Sequence, residues 1–411
     1  MTRIKVFWAR RAAIVPVIAV LLFAGLGPGR AAGLDPVKMT TDEIKALEQR
    51  LTDAGCYKGA IDGAAATALD DAIKACPDQR PFLRIETGMH TGPINRIAAD
   101  SACSLLATTS DDKTVRLWSL PDGKLHQVMR LPMGEGDSGK TWAIRISPHA
   151  QLMGLSRQDG FSLGDGTAAA LYLYQIGKTG EPSLLRRTTF GSRVIAIAFS
   201  GDESRLAVGF KGPQGAGVVA GAQGGRVIDV KSGHELLADA DYQSDVIGLA
   251  FAPDGALIAS SWDGQLRRYG PDLKLTAKRA APDGEKPSGI AIDPAGRRVA
   301  IGYMDEAAVS ILDAKTLVPL AKTQTSDLDH GDFFSVAWSH NGATLIAGGT
   351  ATARRQDEWR NFLRRFDRDG RSQGADIGVS GDTIMDIQPC GQGFAFAAAI
   401  HCSGSSPYRV P

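Results

Sequence analysis

The sequence predicts a mainly β protein with a small all-α module near its N-terminus. Short apolar segments recur from residue 82 onward, and turn residues such as Gly, Pro, Asp and Ser separate them. The chain has 48 glycines among 411 residues and a hydrophobic fraction of 43%, which suits a globular architecture with many tight turns. Its 46 basic and 45 acidic residues nearly cancel, so we expect no nucleic-acid partner.

One full cycle of strand and turn signals lies in residues 88–120. Residues 94–98 and 105–109 are short, mostly apolar strand candidates, and residues 115–119 alternate between the two sides of a strand. The polar residues 110–113 form a tight turn between the last two strands. This cycle resembles a WD repeat, whose pattern has a Gly-His near its start, an Asp in the turn and a Trp-Asp in the third strand.

The matching positions are Met89-His90, Asp112 and Trp118-Ser119, so two of the family's doublets are half present. The resemblance implies a buried hydrogen-bonded set with a structural role. Its expected members are His90, Asp112, Trp118 and a hydroxyl from Thr108 or Ser110.

The repeat continues along the rest of the chain. The 330 residues from Phe82 onward predict about seven blades, at roughly 40–50 residues each. We therefore expect a seven-bladed β-propeller over residues 81–411, with the small helical module before it. The last repeat is short, and residues 82–86 are expected to supply its outer strand and close the ring.

Residues 34–80 resemble the peptidoglycan-binding-like helical module. The match rests on residues shared with the link and second helix of that family: Gly55, Tyr57, Gly59, Ile61, Asp62, Gly63 and Thr67. The resemblance implies contact with peptidoglycan through Tyr57, Lys58 and Asp62. An alternative is that Tyr57 packs on the leucine stripe of the first helix and Asp62 caps the second.

The first 33 residues have the pattern of a secretory signal peptide. A basic start precedes an uncharged apolar run from Ala12 to Leu26, and small residues follow at Ala31 to Gly33. The apolar run is too short for a typical spanning helix, so we expect no membrane span after cleavage. The mature protein is expected in the periplasm of the bacterial cell envelope or outside the cell.

Export would allow disulfides among the five cysteines. Cys56 and Cys76 stand at the ends of the two predicted helices and are expected to pair. Cys390 and Cys402 are a second expected pair, which leaves Cys103 buried in a strand. The cysteines form no C-x-x-C, so no metal site is predicted.

Three short motifs suggest enzymes, but their structural context does not fit. Residues 134–141 match a phosphate-binding loop, yet an alternating strand follows where a helix is required. Residues 160–164 spell a nucleophile-elbow motif without room for its helix. Residues 388–391 match only part of the caspase signature. We therefore predict no catalytic residues and no cofactor.

The sequence favours a non-enzymatic scaffold of the cell envelope. The propeller is expected to bind a protein partner through two insertions, residues 212–225 and 351–360, the second with Arg354, Arg355 and Trp359. One alternative is a regulatory or sensor propeller that partners a caspase-like peptidase or another envelope enzyme. A further alternative is an enzyme with a site in the central channel, which converging ionisable side chains at one mouth would favour.

Overall fold

The computed structural model describes most of the chain from residue 90 to residue 399 and shorter segments before it. The described residues are 20–22, 40–53, 57–75, 82–84, 90–120, 122–130, 139–158, 169–178, 180–212, 223–328, 330–355, 358–391 and 393–399. The predicted pair Cys56 and Cys76 lies outside these residues, as does Cys402.

Two helices precede the sheets: α1 (Thr41–Asp53) and α2 (Thr67–Ala75). Their apolar faces meet in a small buried cluster formed by Ile44, Leu47, Tyr57, Leu69 and Ala72. The buried carboxylate of Glu48 accepts a hydrogen bond from the backbone N–H of Gly63 at 2.8 Å, which ties the link between the helices to α1. Neither described helix is long and apolar enough to cross a bilayer.

Six blades of antiparallel strands follow, and in each the first strand along the chain is the innermost. The first three blades contain β3 (Ile94–Ala99), β4 (Leu105–Ser110), β5 (Thr114–Ser119) and β6 (Lys124–Arg130); β7 (Thr141–Ile146), β8 (Leu152–Gln158), β9 (Ala169–Ile176) and β10 (Pro182–Phe190); and β11 (Val194–Phe199), β12 (Arg205–Phe210), β13 (Gly225–Asp229) and β14 (Glu235–Asp239).

The fourth to sixth blades continue the pattern. They contain β15 (Val246–Phe251), β16 (Leu257–Ser261), β17 (Gln265–Tyr269) and β18 (Leu275–Ala280); β19 (Pro287–Ile292), β20 (Arg298–Tyr303), β21 (Val309–Asp313) and β22 (Pro319–Lys322); and β23 (Ser335–Trp338), β24 (Thr344–Gly348), β25 (Thr352–Arg355), β26 (Glu358–Asp367) and β27 (Ile377–Ser380). In the sixth blade β26 pairs with β24, β25 and β27, so this sheet has five strands.

The seventh position of the ring holds a two-stranded sheet, β28 (Ile384–Cys390) and β29 (Gly393–Ala398). β28 lies between the innermost strands of the sixth and first blades, so the ring is closed. The prediction of seven complete blades is therefore wrong, because the described residues form six. Among the described residues, the hydrogen-bonded sheet at the seventh position has two strands, fewer than the repeat length led us to expect.

Two short strands, β1 (Val20–Leu22) and β2 (Phe82–Arg84), pair with each other, and β1 lies beside β29. The described part of the predicted closing segment, residues 82–84, thus pairs with β1 and not with a strand of the last repeat. β1 falls within the segment predicted as a signal peptide, so removal of that segment would also remove β1.

A bulge recurs near the start of the innermost strands. The register shifts between the first and third residues of β3, β7, β11, β15 and β28. A bulge leaves one residue outside the ladder and re-aims its side chain. The residues left outside are Asn95, Trp142, Ile195, Ile247 and Met385, and all five line the central channel.

A disulfide joins Cys103, in the turn between β3 and β4, to Cys390 at the end of β28, with a Cα–Cα distance of 4.9 Å. The predicted pairing of Cys390 with Cys402 is therefore wrong, and Cys103 lies in a turn and not in a strand. The cause is ring closure, which brings the first and last inner strands together although 287 residues separate the two cysteines.

Candidate functional site

The first blade contains a hydrogen-bonded chain of four side chains. The Nδ1 of His90 lies 2.8 Å from Asp112 Oδ2, and its Nε2 lies 2.8 Å from Thr108 Oγ1. A carboxylate can only accept, so Nδ1 donates to Asp112 and Nε2 accepts from the Thr108 hydroxyl. That hydroxyl accepts the indole N–H of Trp118 at 3.0 Å. Thr108, not Ser110, provides the hydroxyl of this set.

The protonation states in this chain follow from burial and hydrogen bonding. Burial lowers the pKa of His90 and outweighs the opposing effect of its bond to Asp112. Burial alone would raise the pKa of Asp112, but hydrogen bonds from His90, Thr114 and the backbone of Thr91 hold it well below its usual value. The set therefore combines a neutral imidazole with an ionised carboxylate and stabilises the blade internally.

The fourth blade carries a different set at the corresponding positions. Tyr242 stands four residues before the inner strand, as His90 does, and Asp263 occupies the turn position of Asp112. The buried guanidinium of Arg267 donates to Asp263 at 2.9 Å and lies 3.8 Å from the centre of the Tyr242 ring. The Tyr242 hydroxyl lies 2.8 Å from that of Tyr269. Of this set, only the Asp263-Gly264 turn was recognisable from the sequence.

Both sets coincide with matches to a known repeat family. The family described as "WD domain, G-beta repeat" matches residues 84–119 and 230–269, which contain the four-residue sets of the first and fourth blades. These matches, together with the ring of antiparallel blades, support a WD-repeat β-propeller. In the fourth repeat, Tyr242 and Arg267 replace the histidine-centred arrangement while the turn aspartate is kept.

A known WD-repeat protein is similar to part of this chain. The "WD repeat-containing protein SL1-17" of Schistosoma mansoni is 26% identical over 164 residues. The match covers 40% of this chain and 46% of that relative, so it spans less than half of either protein.

The WD-repeat ring encloses a central cavity of about 390 Å³. Four cationic side chains and two carboxylates line it: Arg96, Arg145, Arg193, Lys211, Asp245 and Asp386. The chain as a whole has a net charge of only +1, so this concentration of positive charge is local. The innermost strands all begin at the same face of the ring. We call this face the channel-mouth face.

Tryptophans with cations against their rings stand at the channel-mouth face. The Arg193 guanidinium lies 4.1 Å from the centre of the Trp142 ring, within the range of a cation–π contact. Lys286 Nζ lies 6.0 Å from the Trp262 ring, whose indole N–H donates to Ser288 Oγ at 3.0 Å. Among the described residues, the buried Nε1 of Trp142 has no hydrogen-bond acceptor.

The convergence of ionisable groups that the enzyme alternative requires is present at the central channel. The described residues that line the cavity include neither cysteine nor histidine. Asp386 accepts the backbone N–H of Ile97 at 3.1 Å, and Asp245 accepts that of Gly212 at 2.7 Å. Nor do the described residues contain a cluster of three or more potential metal ligands.

The second predicted contact segment forms a β-hairpin and not a loop. In β25 and β26, Arg354 pairs with Trp359 and Arg355 with Glu358. Trp359 has an exposed fraction of 67%, the largest among the described large hydrophobic residues. Ser335 at the start of β23 pairs with Gly348 at the end of β24, so the hairpin continues from the channel-mouth face. Of the other predicted segment, residues 213–222 lie outside the described residues.

The residues predicted to contact peptidoglycan have different environments. Tyr57 is buried in the helical cluster, and its hydroxyl donates to Ala60 O at 3.2 Å. Lys58 and Asp62 are exposed, and Asp62 Oδ1 accepts the Ala64 N–H at 2.9 Å. The burial of Tyr57 agrees with its packing role in the alternative, whereas Asp62 bonds within the link and does not cap α2, which begins at Thr67. Wall binding stays a prediction. Of the three predicted contact residues, Lys58 and Asp62 are the exposed ones.

Proposed function

We propose that this WD-repeat propeller is an exported scaffold that binds a protein partner at its channel-mouth face. The observation that carries this proposal is the 67% exposure of Trp359 on the β25–β26 hairpin. Buried tryptophans and arginines contribute most of the energy of many protein interfaces, and a large exposed aromatic side chain is a ready anchor. Arg354, Arg355 and Arg360 lie beside it in the same hairpin.

The hairpin holds this anchor in a defined position. Its β26 strand continues into the sixth blade, where Phe362 and Phe366 pack against Phe333 with ring centres 5.9 and 6.3 Å apart. An aromatic residue on a rigid element loses little conformational entropy on binding. The hairpin therefore suits a specific partner better than a flexible loop would.

Two features support an extracytoplasmic location. The first 33 residues have the pattern of a signal peptide. Cys103 and Cys390 form a disulfide, and such bonds persist mainly in oxidising compartments. Exposed Lys58 and Asp62 would let the helical module contact peptidoglycan in the same compartment.

A quantitative capture experiment tests the partner site. The tagged full-length protein, the Trp359→Ala variant and a Leu184→Ala control are cross-linked in the envelope, and captured proteins are compared by mass spectrometry. Leu184 is 53% exposed on the outer strand β10, so the control removes a comparable apolar side chain elsewhere. We expect at least one partner to be lost from Trp359→Ala alone.

Equal capture by all three proteins would overturn the proposal. The identity of the partner tests the alternative function. Capture of a caspase-like peptidase that depends on Trp359 would favour the regulatory role over a general scaffold.

A further inference from the structure

The central channel has features of a ligand site that the scaffold role does not use. Deep in the channel, Arg96 and Arg145 lie near Asp386, with Arg145 Nη1 3.7 Å from Asp386 Oδ2. Asp386 is already engaged by the N–H of Ile97 and by the side-chain amide of Gln388. One carboxylate thus faces two guanidinium groups, so the three side chains together carry a net positive charge.

Burial adds to the cost of that excess charge. It lowers the pKa of Arg96, the nearby Arg145 lowers it further, and Asp386 opposes the effect. Cations in a partly desolvated site gain more from a nearby anion than exposed cations do. An anionic group in the channel would therefore stabilise the charged form of Arg96.

At the mouth of the channel lie a second pair of cations and a hydrogen-bond donor, the indole N–H of Trp142. The backbone N–H of Lys211 donates to the carbonyl oxygen of Arg193 at 2.8 Å, so the two residues stand side by side. Asp245 is the carboxylate that lines the cavity near them, and its Oδ1 accepts a backbone N–H. The buried indole Nε1 of Trp142 lacks a hydrogen-bond acceptor among the described residues. Because buried donors are normally hydrogen-bonded, an acceptor atom of a ligand would satisfy it.

The channel wall is also apolar over much of its surface. Ile195, Ile247, Met304, Phe334 and Met385 line the same cavity as the cations. A bare phosphate ion would leave this apolar surface uncovered, whereas an organic acid would cover it. A polynucleotide would not fit, since the seven inner strands surround a cavity of only about 390 Å³.

We propose that the central channel binds a carboxylate-bearing ligand with an apolar body. The carboxylate lies among Arg96, Arg145, Arg193 and Lys211, its oxygen accepts from Trp142 Nε1, and the apolar part packs on the channel wall. The ligand is either an acidic side chain from a protein segment that enters the mouth or a small organic acid. This proposal is independent of the Trp359 hairpin.

Binding is tested by isothermal titration of the folded full-length protein with three probes. The probes are a blocked peptide of alternating Glu and Leu residues, the small organic acid hexanoate, and inorganic phosphate. We expect the peptide or hexanoate to bind and phosphate to bind at least tenfold more weakly. Peptide binding alone identifies a protein segment as the source, and binding of hexanoate identifies a small organic acid.

Variants connect binding to the channel. The Arg193→Gln/Lys211→Gln double variant and the Arg96→Gln variant should each weaken binding at least tenfold. Trp142→Phe keeps a ring but removes the N–H donor, and should weaken binding by several-fold. Lys278→Gln on the outer strand β18 is the matched control and should bind as the wild type does. Thermal melting of each variant verifies folding.

Three outcomes would overturn the proposal: no binding of either carboxylate probe, equal binding of phosphate, or unchanged binding by folded Arg193→Gln/Lys211→Gln. The Trp359→Ala variant should bind the probes normally. Its failure in partner capture is thus distinguishable from failure of the channel site.

Discussion

Cys103 and Cys390 form a disulfide between the first blade and β28, across 287 residues of sequence. Asp386 of the same strand accepts the backbone N–H of Ile97 in β3 at 3.1 Å. The two contacts join the last inner strand to the first, at the position where the described two-stranded sheet replaces a complete blade. The ring is thus closed by a covalent bond as well as by hydrogen bonds and packing.

Loss of this disulfide should destabilise the propeller strongly. A cross-link that closes a long loop reduces the entropy of the unfolded chain, and we expect about 3–5 kcal/mol from it. The Cys103→Ser/Cys390→Ser variant should therefore melt at a lower temperature than the oxidised wild type. Addition of a reductant should lower the wild-type melting temperature and leave that of the variant unchanged. Equal melting temperatures for both oxidised proteins would contradict this role.

Thr108→Val should destabilise the first blade by about 2–3 kcal/mol. The substitution leaves buried His90 Nε2 and Trp118 Nε1 without their shared partner, and unsatisfied buried polar groups are costly. Thr109→Val is the matched control, because Thr109 is equally buried and its hydroxyl donates one long hydrogen bond, to the carbonyl oxygen of Arg96 at 3.4 Å. Chemical denaturation should show a loss of less than about 1 kcal/mol for the control. Similar losses for both variants would argue against the hydrogen-bonded chain.

Acidification should destabilise the fold through His90 and Asp112. An unfolded histidine has a pKa near 6.5, and burial lowers that of His90, so below pH 6.5 the unfolded chain binds more protons. Asp112 acts in the same direction below about pH 3.8, since its folded-state pKa is lowered and its contribution is lost as the carboxylate is protonated. The melting temperature should fall from pH 7 to pH 5. His90→Gln should be less stable at pH 7 but less sensitive to pH; a variant with the wild-type slope would contradict the prediction.

Arg267→Ala should cost about 3–5 kcal/mol, because it leaves the carboxylate of Asp263 without its buried cationic partner. The control is Lys278→Ala, which removes an exposed ion pair with Asp241 at 2.7 Å. Exposed pairs contribute about 0–1 kcal/mol, so the control should be close to the wild type in denaturant unfolding. A loss below 1 kcal/mol for Arg267→Ala would show that the fourth-blade set does not depend on the ion pair.

Binding to the cell wall should depend on Lys58 and Asp62 if the helical module contacts peptidoglycan. The full-length protein should sediment with purified peptidoglycan, and Lys58→Ala/Asp62→Ala should reduce the sedimented fraction several-fold. Asp122→Ala/Lys124→Ala removes an exposed pair in the propeller and should have no effect. Circular dichroism verifies the helices of each variant. A wild-type protein that stays in the supernatant would remove the wall-binding part of the proposed function.

Local sequence patterns were sufficient to predict many strands. The predicted segments 94–98, 105–109 and 115–119 lie within β3, β4 and β5, and each is one residue shorter than its strand. Each segment is a mostly apolar stretch with a turn signal on either side. Both properties are encoded within a few residues. The polar segment 351–360 was expected to be an inserted loop, but pairing with β26 makes residues 352–355 a strand.

The sequence by itself determined the repeat, the turn aspartates and the members of the first-blade set, because spacing within one repeat controls them. Only the tertiary structure decided the number of complete blades, the partner of Cys390 and the grouping of cations in the channel. These properties depend on which distant repeats become neighbours when the ring closes. Cys103 meets Cys390, and the backbone N–H of Ile97 meets Asp386, because closure places the first and last inner strands side by side.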